Sequence, residues 1–361
     1  MRPYHEWKGI SHRRTRVTLA GIEEDTSKAI PLLRRMTVQR MAIFRALQVG
    51  DMLCAVPALR AIRAALPQAH ITLVGLPWAE QFARRYRHYV DAFAAFPGHP
   101  AFPEQPVREA ELETFYTTMR AQEFDLVLQM HGSGQVSNRI VTEFGAKAVA
   151  GSVVPGSHPA DPGSFMEYPE EGAEPLRLLR LAEFIGAPSA GSHLEFPLTK
   201  EDERELEASG LAAGLVPREY ICIHPGARLR DKCWPPQRFA EIADALVDEF
   251  GIKVVLTGSA KEADLTAQVA ACMRHAAIDT ASPLSIGAMA ALMSRARLLV
   301  CNDTGVSHIA AGLCLPSVVV FSKADMQRWA PLDQDRHRCI WDPEGGRAEL
   351  VLQHARVLMK I

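Results

Sequence analysis

One feature constrains this chain more than any other. Short apolar runs alternate with longer amphipathic stretches, a rhythm that starts near Arg40 and starts again near Tyr220. Met41–Leu47, Ile71–Gly75 and Leu126–Met130 read as strands buried on both faces. Between the first two lies Asp51–Leu66, where Leu53, Val56, Leu59, Ile62 and Leu66 follow helical spacing and Pro67 supplies the stop. Strands alternating with helices predict parallel sheets covered on both faces, an α/β fold.

The rest of the first half reads as a short helix at Glu80–Tyr86, a strand near Val90–Phe96, helices near Val107–Ala121 and Val136–Phe144, and a strand at Ala148–Ala150. Residues 151–174, rich in Gly, Pro, Ser and acidic groups, are expected to form a long loop, either a lid or acceptor loop or plain disorder. A helix near Leu176–Ile185 and the charged segment Lys200–Leu215 lead into the second half. There Tyr220–His224 is a strand. The helix from Pro236 presents Phe239, Ile242, Leu246 and Phe250 on one face and ends at Gly251. Strands follow at Lys253–Thr257, Leu298–Cys301 and Ser317–Phe321, with helices near Ala263–Met273, near Ile286–Arg295 and after Gly305. The amphipathic ending, Leu350–Met359, is expected to pack back across the first domain. The expected boundaries are a basic extension over 1–37, a first domain over 38–205 and a second over 206–361. A chain of 361 residues suits two cores better than one. In such sheets ligands sit at the carboxyl ends of strands, here facing an interdomain cleft.

Composition closes off several classes. A net charge of -2 gives no global attraction to nucleic acid. No apolar run is long enough to span a bilayer. Seven dispersed cysteines without a C-x-x-C pair read as reduced cytoplasmic thiols, most of them small core residues, and no zinc site is expected. Residues 1–40 lack the apolar core of a signal peptide and carry nine Lys/Arg against four Asp/Glu. They read as a solvated extension, as a patch holding the protein near an anionic membrane, or as sequence ahead of a start at Met36 or Met41.

Three segments carry chemistry. In Gln48-Val-Gly-Asp51, Gly50 allows a tight turn or a close ligand approach. Asp51 is either a helix cap or a carboxylate facing the cleft as a general base. The segment is no dinucleotide fingerprint, because G-x-G-x-x-G is absent. In His224–Pro235, Arg228, Arg230 and Lys232 follow a strand. They fit either a diphosphate site or a solvent-facing basic loop with Trp234 as its core anchor. In Asn302–His308 a helix begins near Gly305, so free amides there suit a phosphate, with Thr304 and Gly305 as donors and His308 one turn in. Asp303 would repel a diphosphate and is expected to cap the helix or bond a sugar hydroxyl. An aspartic-protease reading of Asp-Thr-Gly fails, because the surroundings are α/β and no second such triplet supplies the paired carboxylate.

In this order and spacing the segments resemble glycosyltransferase family 9, the ADP-heptose:lipopolysaccharide heptosyltransferases. The likeness runs from about Arg40 to Ser322. It rests on Gly50-Asp51 followed by Val56-Pro-Ala-Leu59, Lys232-Cys-Trp-Pro235 followed by Phe239-Ala-Glu-Ile242, and Asp303-Thr-Gly-Val-Ser-His308. Leu284-Ser285 and Ala290–Met293 add to it. The resemblance implies the GT-B architecture: two Rossmann-like domains with mostly parallel sheets facing across a cleft. It implies inverting transfer of a heptose from ADP-heptose to a lipopolysaccharide core or related surface glycan, without a metal or other cofactor. Asp51 would then be the general base and Lys232 the cation on the departing diphosphate. Thr304 and Gly305 would hold phosphate, and Asp303, His308, Arg228 and Gly50 would complete the donor pocket. Glu262, after Thr257-Gly-Ser259, would sit near the nucleoside or sugar. His131, Gln135 and Arg139 are the acceptor-side candidates, while Arg60 and Arg63 read as solvated surface. The loop Gly226-Ala-Arg-Leu-Arg-Asp231 departs from the small hydroxyl residues of many relatives. The implied partners are a nucleotide-sugar donor and a lipid-linked glycan at the cytoplasmic face of the inner membrane, with no nucleic acid. Rival readings are a transferase using a UDP- or GDP-hexose, a GT-B protein that only binds a nucleotide sugar or a partner, and a nucleotide-sugar epimerase.

Overall fold

Each half of the chain folds around its own six-stranded sheet in the computed structural model, which describes residues 30–158 and 161–360. The first sheet holds β1 (Arg40–Phe44), β2 (His70–Gly75), β3 (Ala92–Ala95), β4 (Leu126–Gln129), β5 (Ala148–Val153) and β6 (Phe165–Glu167), ordered β3-β2-β1-β4-β5-β6. The second holds β7 (Tyr220–His224), β8 (Lys253–Leu256), β9 (Ala277–Asp279), β10 (Leu299–Asn302), β11 (Ser317–Phe321) and β12 (His337–Trp341), ordered β12-β11-β10-β7-β8-β9. Every pairing is parallel. Strands β4, β7, β10 and β11 are buried along their whole length, as their unbroken apolar runs require.

Counted within each half, both sheets have the doubly wound order, whose ligand crevice opens where the first and fourth strands send their connections to opposite sides. Those strands are β1 and β4 in the first sheet and β7 and β10 in the second. Gln48–Asp51, His131, His224–Trp234 and Asn302–His308 follow them directly. The topology alone thus gathers every segment singled out for chemistry except Glu262.

Several expectations are corrected. The helix expected over Asp51–Leu66 is two, Val49–Cys54 and Val56–Ala65. Pro57 cannot donate to the Leu53 carbonyl, and its ring would collide with that carbonyl in a continuous helix. The Ala55 amide instead bonds back to Met52 and Leu53. Strands β6, β9 and β12 were not anticipated, and β6 lies inside the expected loop 151–174. All three are edge strands, where solvent on one side removes the need for a continuous apolar run.

The expected boundary at 205/206 falls inside the helix Lys200–Ser209, which packs on Ile286–Ser294 of the second half. The last helix, Ala348–Leu358, packs on Pro236–Phe250 and β11 rather than back across the first domain, and Val351, Leu352, Ala355 and Leu358 join the second core. Residues 1–29 of the expected extension lie outside the described residues. Beyond them, Leu32–Arg35 is not solvated chain but a helical turn, with Leu32 buried and Arg35 paired with Asp161 at 3.2 Å. All seven cysteines are free, yet only Cys54, Cys222 and Cys301 are buried, so most are not core residues. Among the described residues no helix is long and apolar enough to cross a membrane.

Candidate active site

The site begins with a buried cation. Arg45 directly follows β1 and is 1% exposed. Its Nε donates to the Asp51 carbonyl at 3.0 Å, its guanidinium donates to the Met130 carbonyl after β4, and it pairs with Glu174 at 3.3 Å. One side chain thereby fixes the ends of β1 and β4 and the start of helix Val49–Cys54. Glu174 also accepts from Arg328 of the second half at 2.9 Å and lies 3.8 Å from Arg177. Burial alone would raise the Glu174 carboxyl, but these arginines outweigh it and hold it below its ordinary value. Sequence reasoning passed over Arg45 and Glu174. For Arg45 the available signal was a charge inside an otherwise apolar run, while Glu174 follows an acidic, glycine-containing stretch that gives none.

Asp51 is the third residue of its helix, not the cap, and no side chain caps that helix. It stands in the first turn, near the positive end of the helix. Gly50 has ordinary helical geometry, and its lack of a side chain serves close packing between the halves. A Cβ there would lie 3.0 Å from His308 Cδ2 and 3.3 Å from Gly305 Cα. His308 is buried, 3.9 Å from Cys54 Sγ, and burial lowers its pKa, which favours a neutral ring.

The second half contributes a braced loop. Asn302, fully buried at the end of β10, accepts from the Trp234 amide at 2.9 Å and donates to the Pro225 carbonyl at 2.8 Å. The Trp234 indole donates to Asp342 at 2.9 Å, as suits the expected core anchor. Lys232, held between these anchors, pairs with Asp303 at 3.1 Å. Asp303 is therefore not the helix cap. Thr304 occupies that position, and helix Gly305–Gly312 has no side-chain cap, leaving its first amides open to an anion. Arg230 turns away to Asp264 at 2.8 Å, while Arg228 stays with the site.

These groups share one cavity of ≈ 270 Å³. The first half lends it Gln48, Gly50, Asp51 and Glu104; the second lends Arg228, Lys232, Asp303, Thr304, Gly305, His308 and Trp329. Glu104 has no counterpart in the sequence reading. A larger cavity of ≈ 870 Å³ opens beside Val49 and Leu53, on another face of the same short helix. The smaller one is the candidate site because convergent charges and open amides meet in it.

Other expected residues stand elsewhere. Glu262 caps its own turn through Ser259 and braces the loop from behind, since a Cβ on Gly226 would lie 2.1 Å from Glu262 Oε1. His131 is buried against Phe102, ring centroids 4.2 Å apart, and accepts from the Ala46 amide at 3.3 Å. Burial, reinforced by Arg45, lowers its pKa to about 3. Gln135 and Arg139 are exposed. None of these four lines the smaller cavity. Arg60 and Arg63 are not solvated surface. Arg60 binds Tyr89, the Gly191 and His193 carbonyls and Glu195, and Arg63 pairs with Asp91 and bonds the Ala69 carbonyl. Among the described residues no group of His, Cys, Asp and Glu is arranged to hold a metal ion.

Residues 113–355 match the family model described as glycosyltransferase family 9 (heptosyltransferase). The chain is 31% identical over 135 residues to lipopolysaccharide heptosyltransferase 3 of Escherichia coli, a stretch spanning 37% of this chain and 38% of that one. It is 26% identical over 310 residues to lipopolysaccharide heptosyltransferase 2 of Salmonella typhimurium, across 79% and 83% of the two chains. The crystal structure of the glycosyl transferase family 9 from Veillonella parvula superposes with a TM-score of 0.73 at 19% identity, across 89% of this chain and 97% of that one. The two facing Rossmann-like halves are the GT-B architecture.

Proposed function

The chain belongs to glycosyltransferase family 9, and on that premise we propose that it moves a heptose from ADP-heptose to a hydroxyl of a lipopolysaccharide core or related surface glycan, with inversion and without a metal ion. The observation that carries the proposal is the convergence of Asp51, Lys232 and an uncapped helix terminus on one cavity between the halves.

The acceptor hydroxyl attacks the anomeric carbon from the first-domain side, and Asp51 takes its proton as the new C–O bond forms. The old C–O bond to the diphosphate breaks on the opposite face, leaving negative charge on the leaving group. Lys232, Arg228 and the first amides of helix Gly305–Gly312 receive that charge with little rearrangement, since Asn302 and Trp234 already fix their loop. Asp303 keeps the Lys232 ammonium oriented while the donor is absent. Neutral His308 shapes the pocket beneath Gly50 without adding charge. Glu262 acts through Gly226, setting the loop that carries Arg228. Because the acceptor is lipid-linked, the protein works against the cytoplasmic face of the inner membrane as a peripheral enzyme.

The test is turnover of ADP-heptose by purified protein with a core acceptor, in EDTA, against Asp51→Ala. Transfer that continues in EDTA and collapses in the variant supports the reading; equal turnover by both proteins overturns it. A thermal-shift panel of ADP, UDP and GDP sugars separates the donor nucleotides, because a bound ligand raises apparent stability.

A further inference from the structure

Of the charged side chains lining the cavity, Glu104 alone has no part in the reaction written above. It lies in the connection between β3 and helix Glu109–Ala121, a segment anchored on both sides of it. Before it, Phe102 stacks on His131 at 4.2 Å and packs near Phe44 and Phe96. After it, the Gln105 side-chain Nε2 donates to the Phe96 carbonyl at 2.7 Å, and the Arg108 backbone amide closes the segment on the Pro97 carbonyl at 2.9 Å. Gly98 makes the turn at φ +101°, where a Cβ would be strained and would press on the Pro106 carbonyl at 3.1 Å.

The segment is thus built to hold Glu104 in place, yet Glu104 Oε2 is buried with no hydrogen-bond partner among the described residues. A buried carboxylate oxygen without a donor is costly, so its natural partner is a group that arrives from outside. That group is not the leaving diphosphate, an anion drawn to Lys232 and the helix terminus across the cavity. It is the acceptor, which enters on the side of Asp51. A carboxylate or phosphate on the acceptor would meet two like charges there, Asp51 and Glu104, whereas sugar hydroxyls would donate to both.

We propose that Glu104 is the acceptor-reading residue: it takes hydrogen bonds from hydroxyls neighbouring the one that attacks, and so excludes an acceptor face that carries an anion. The proposal rests on the transferase reading of this cavity and adds the acceptor's charge class to it.

The experiment needs no turnover. Full-length protein is saturated with ADP, and saturation-transfer NMR measures binding of three probes: methyl mannoside (neutral), methyl glucuronide (anionic) and methyl glucosaminide (cationic). The wild type is expected to bind the mannoside and the glucosaminide, with the glucuronide about tenfold weaker than the mannoside, the scale of one lost charged hydrogen bond. Glu104→Gln should narrow that gap and Glu104→Lys should reverse it. Calorimetric ADP affinity should stay unchanged in Glu104→Gln. A wild type that binds the glucuronide as well as the mannoside, that rejects the glucosaminide, or that binds no mannoside, overturns the proposal. So does a discrimination that neither substitution changes. Failure of the wild type to bind ADP would instead sink the donor reading, and the probe order measured without ADP would still decide the role of Glu104.

Discussion

Glu174 of the first half accepts a hydrogen bond from Arg328 of the second at 2.9 Å, while its other oxygen holds the buried Arg45 at 3.3 Å. Arg45 in turn holds the Asp51 carbonyl, and Arg328 neighbours Trp329 in the cavity wall. One carboxylate therefore joins the backbone of the proposed base to the opposite side of the cleft.

Removing it leaves Arg45 buried without a counter-charge. Glu174→Ala is expected to destabilise the fold by about 3–5 kcal/mol in urea unfolding. Arg328→Ala, at the more exposed end of the network, should cost about 1 kcal/mol or less. Equal losses would show that Arg45 is satisfied by other means.

Acid should weaken the protein in two stages. Burial lowers the pKa of His131 to about 3 and of His337 to about 4, and lowers His224 and His308 as well. The unfolded chain binds those protons near pH 6.5, so stability is full above that value and falls as the pH drops below it. Glu174, also depressed, adds a second loss below its ordinary value of 4.5. Urea midpoints should be flat above about pH 7 and decline below 6.5, with a smaller slope for His131→Gln. A flat profile from 7 to 5 would contradict the buried, neutral histidines.

Asp51→Asn is expected to lower kcat by about 10²–10⁴ while ADP affinity holds, because the base touches only the acceptor. Lys232→Ala should lower both turnover and ADP affinity. Steady-state kinetics with calorimetry separates the two patterns. Loss of ADP binding in Asp51→Asn would place that carboxylate on the donor.

Gly226→Ala brings a methyl to 2.1 Å from Glu262 Oε1 and should cost about 1–3 kcal/mol, with loss of turnover as the Arg228 loop shifts. Shortening the obstacle in the double variant Gly226→Ala/Glu262→Ala should recover part of the stability, a coupling that thermal unfolding can read.

Deleting residues 1–35 removes the buried Leu32 and the Arg35–Asp161 pair, and should cost about 1–2 kcal/mol. Deleting residues 1–29 keeps both contacts. Sedimentation of the two truncations with anionic vesicles then tests the membrane proposal apart from folding. Binding identical to that of the full chain would assign no membrane role to the removed residues.

The sequence made the inner strands legible because burial on both faces forces unbroken apolar runs, as in β7 and β11. Edge strands β6, β9 and β12 carry no such demand and left too little pattern to read. Asp51, Lys232 and Thr304 were findable because each lies close after a strand whose end faces the crevice. Glu174 was not. Glu174 meets its partners 129 and 154 residues away, and no local spacing encodes that meeting. Glu104 was hidden in the same way, since its loop is held by Phe102 on His131, a contact between two separate connections.

Gly50 and Gly305 touch, backbone against backbone, at the point where the two halves meet. A Cβ on Gly305 would lie 3.2 Å from the Gly50 nitrogen. Such a bearing has no thickness of its own, so a methyl or hydroxymethyl placed on either glycine acts as a shim. A graded set of such shims would loosen that contact stepwise, turning the bulk of the sugar that still reacts into a gauge of how closely the halves must meet.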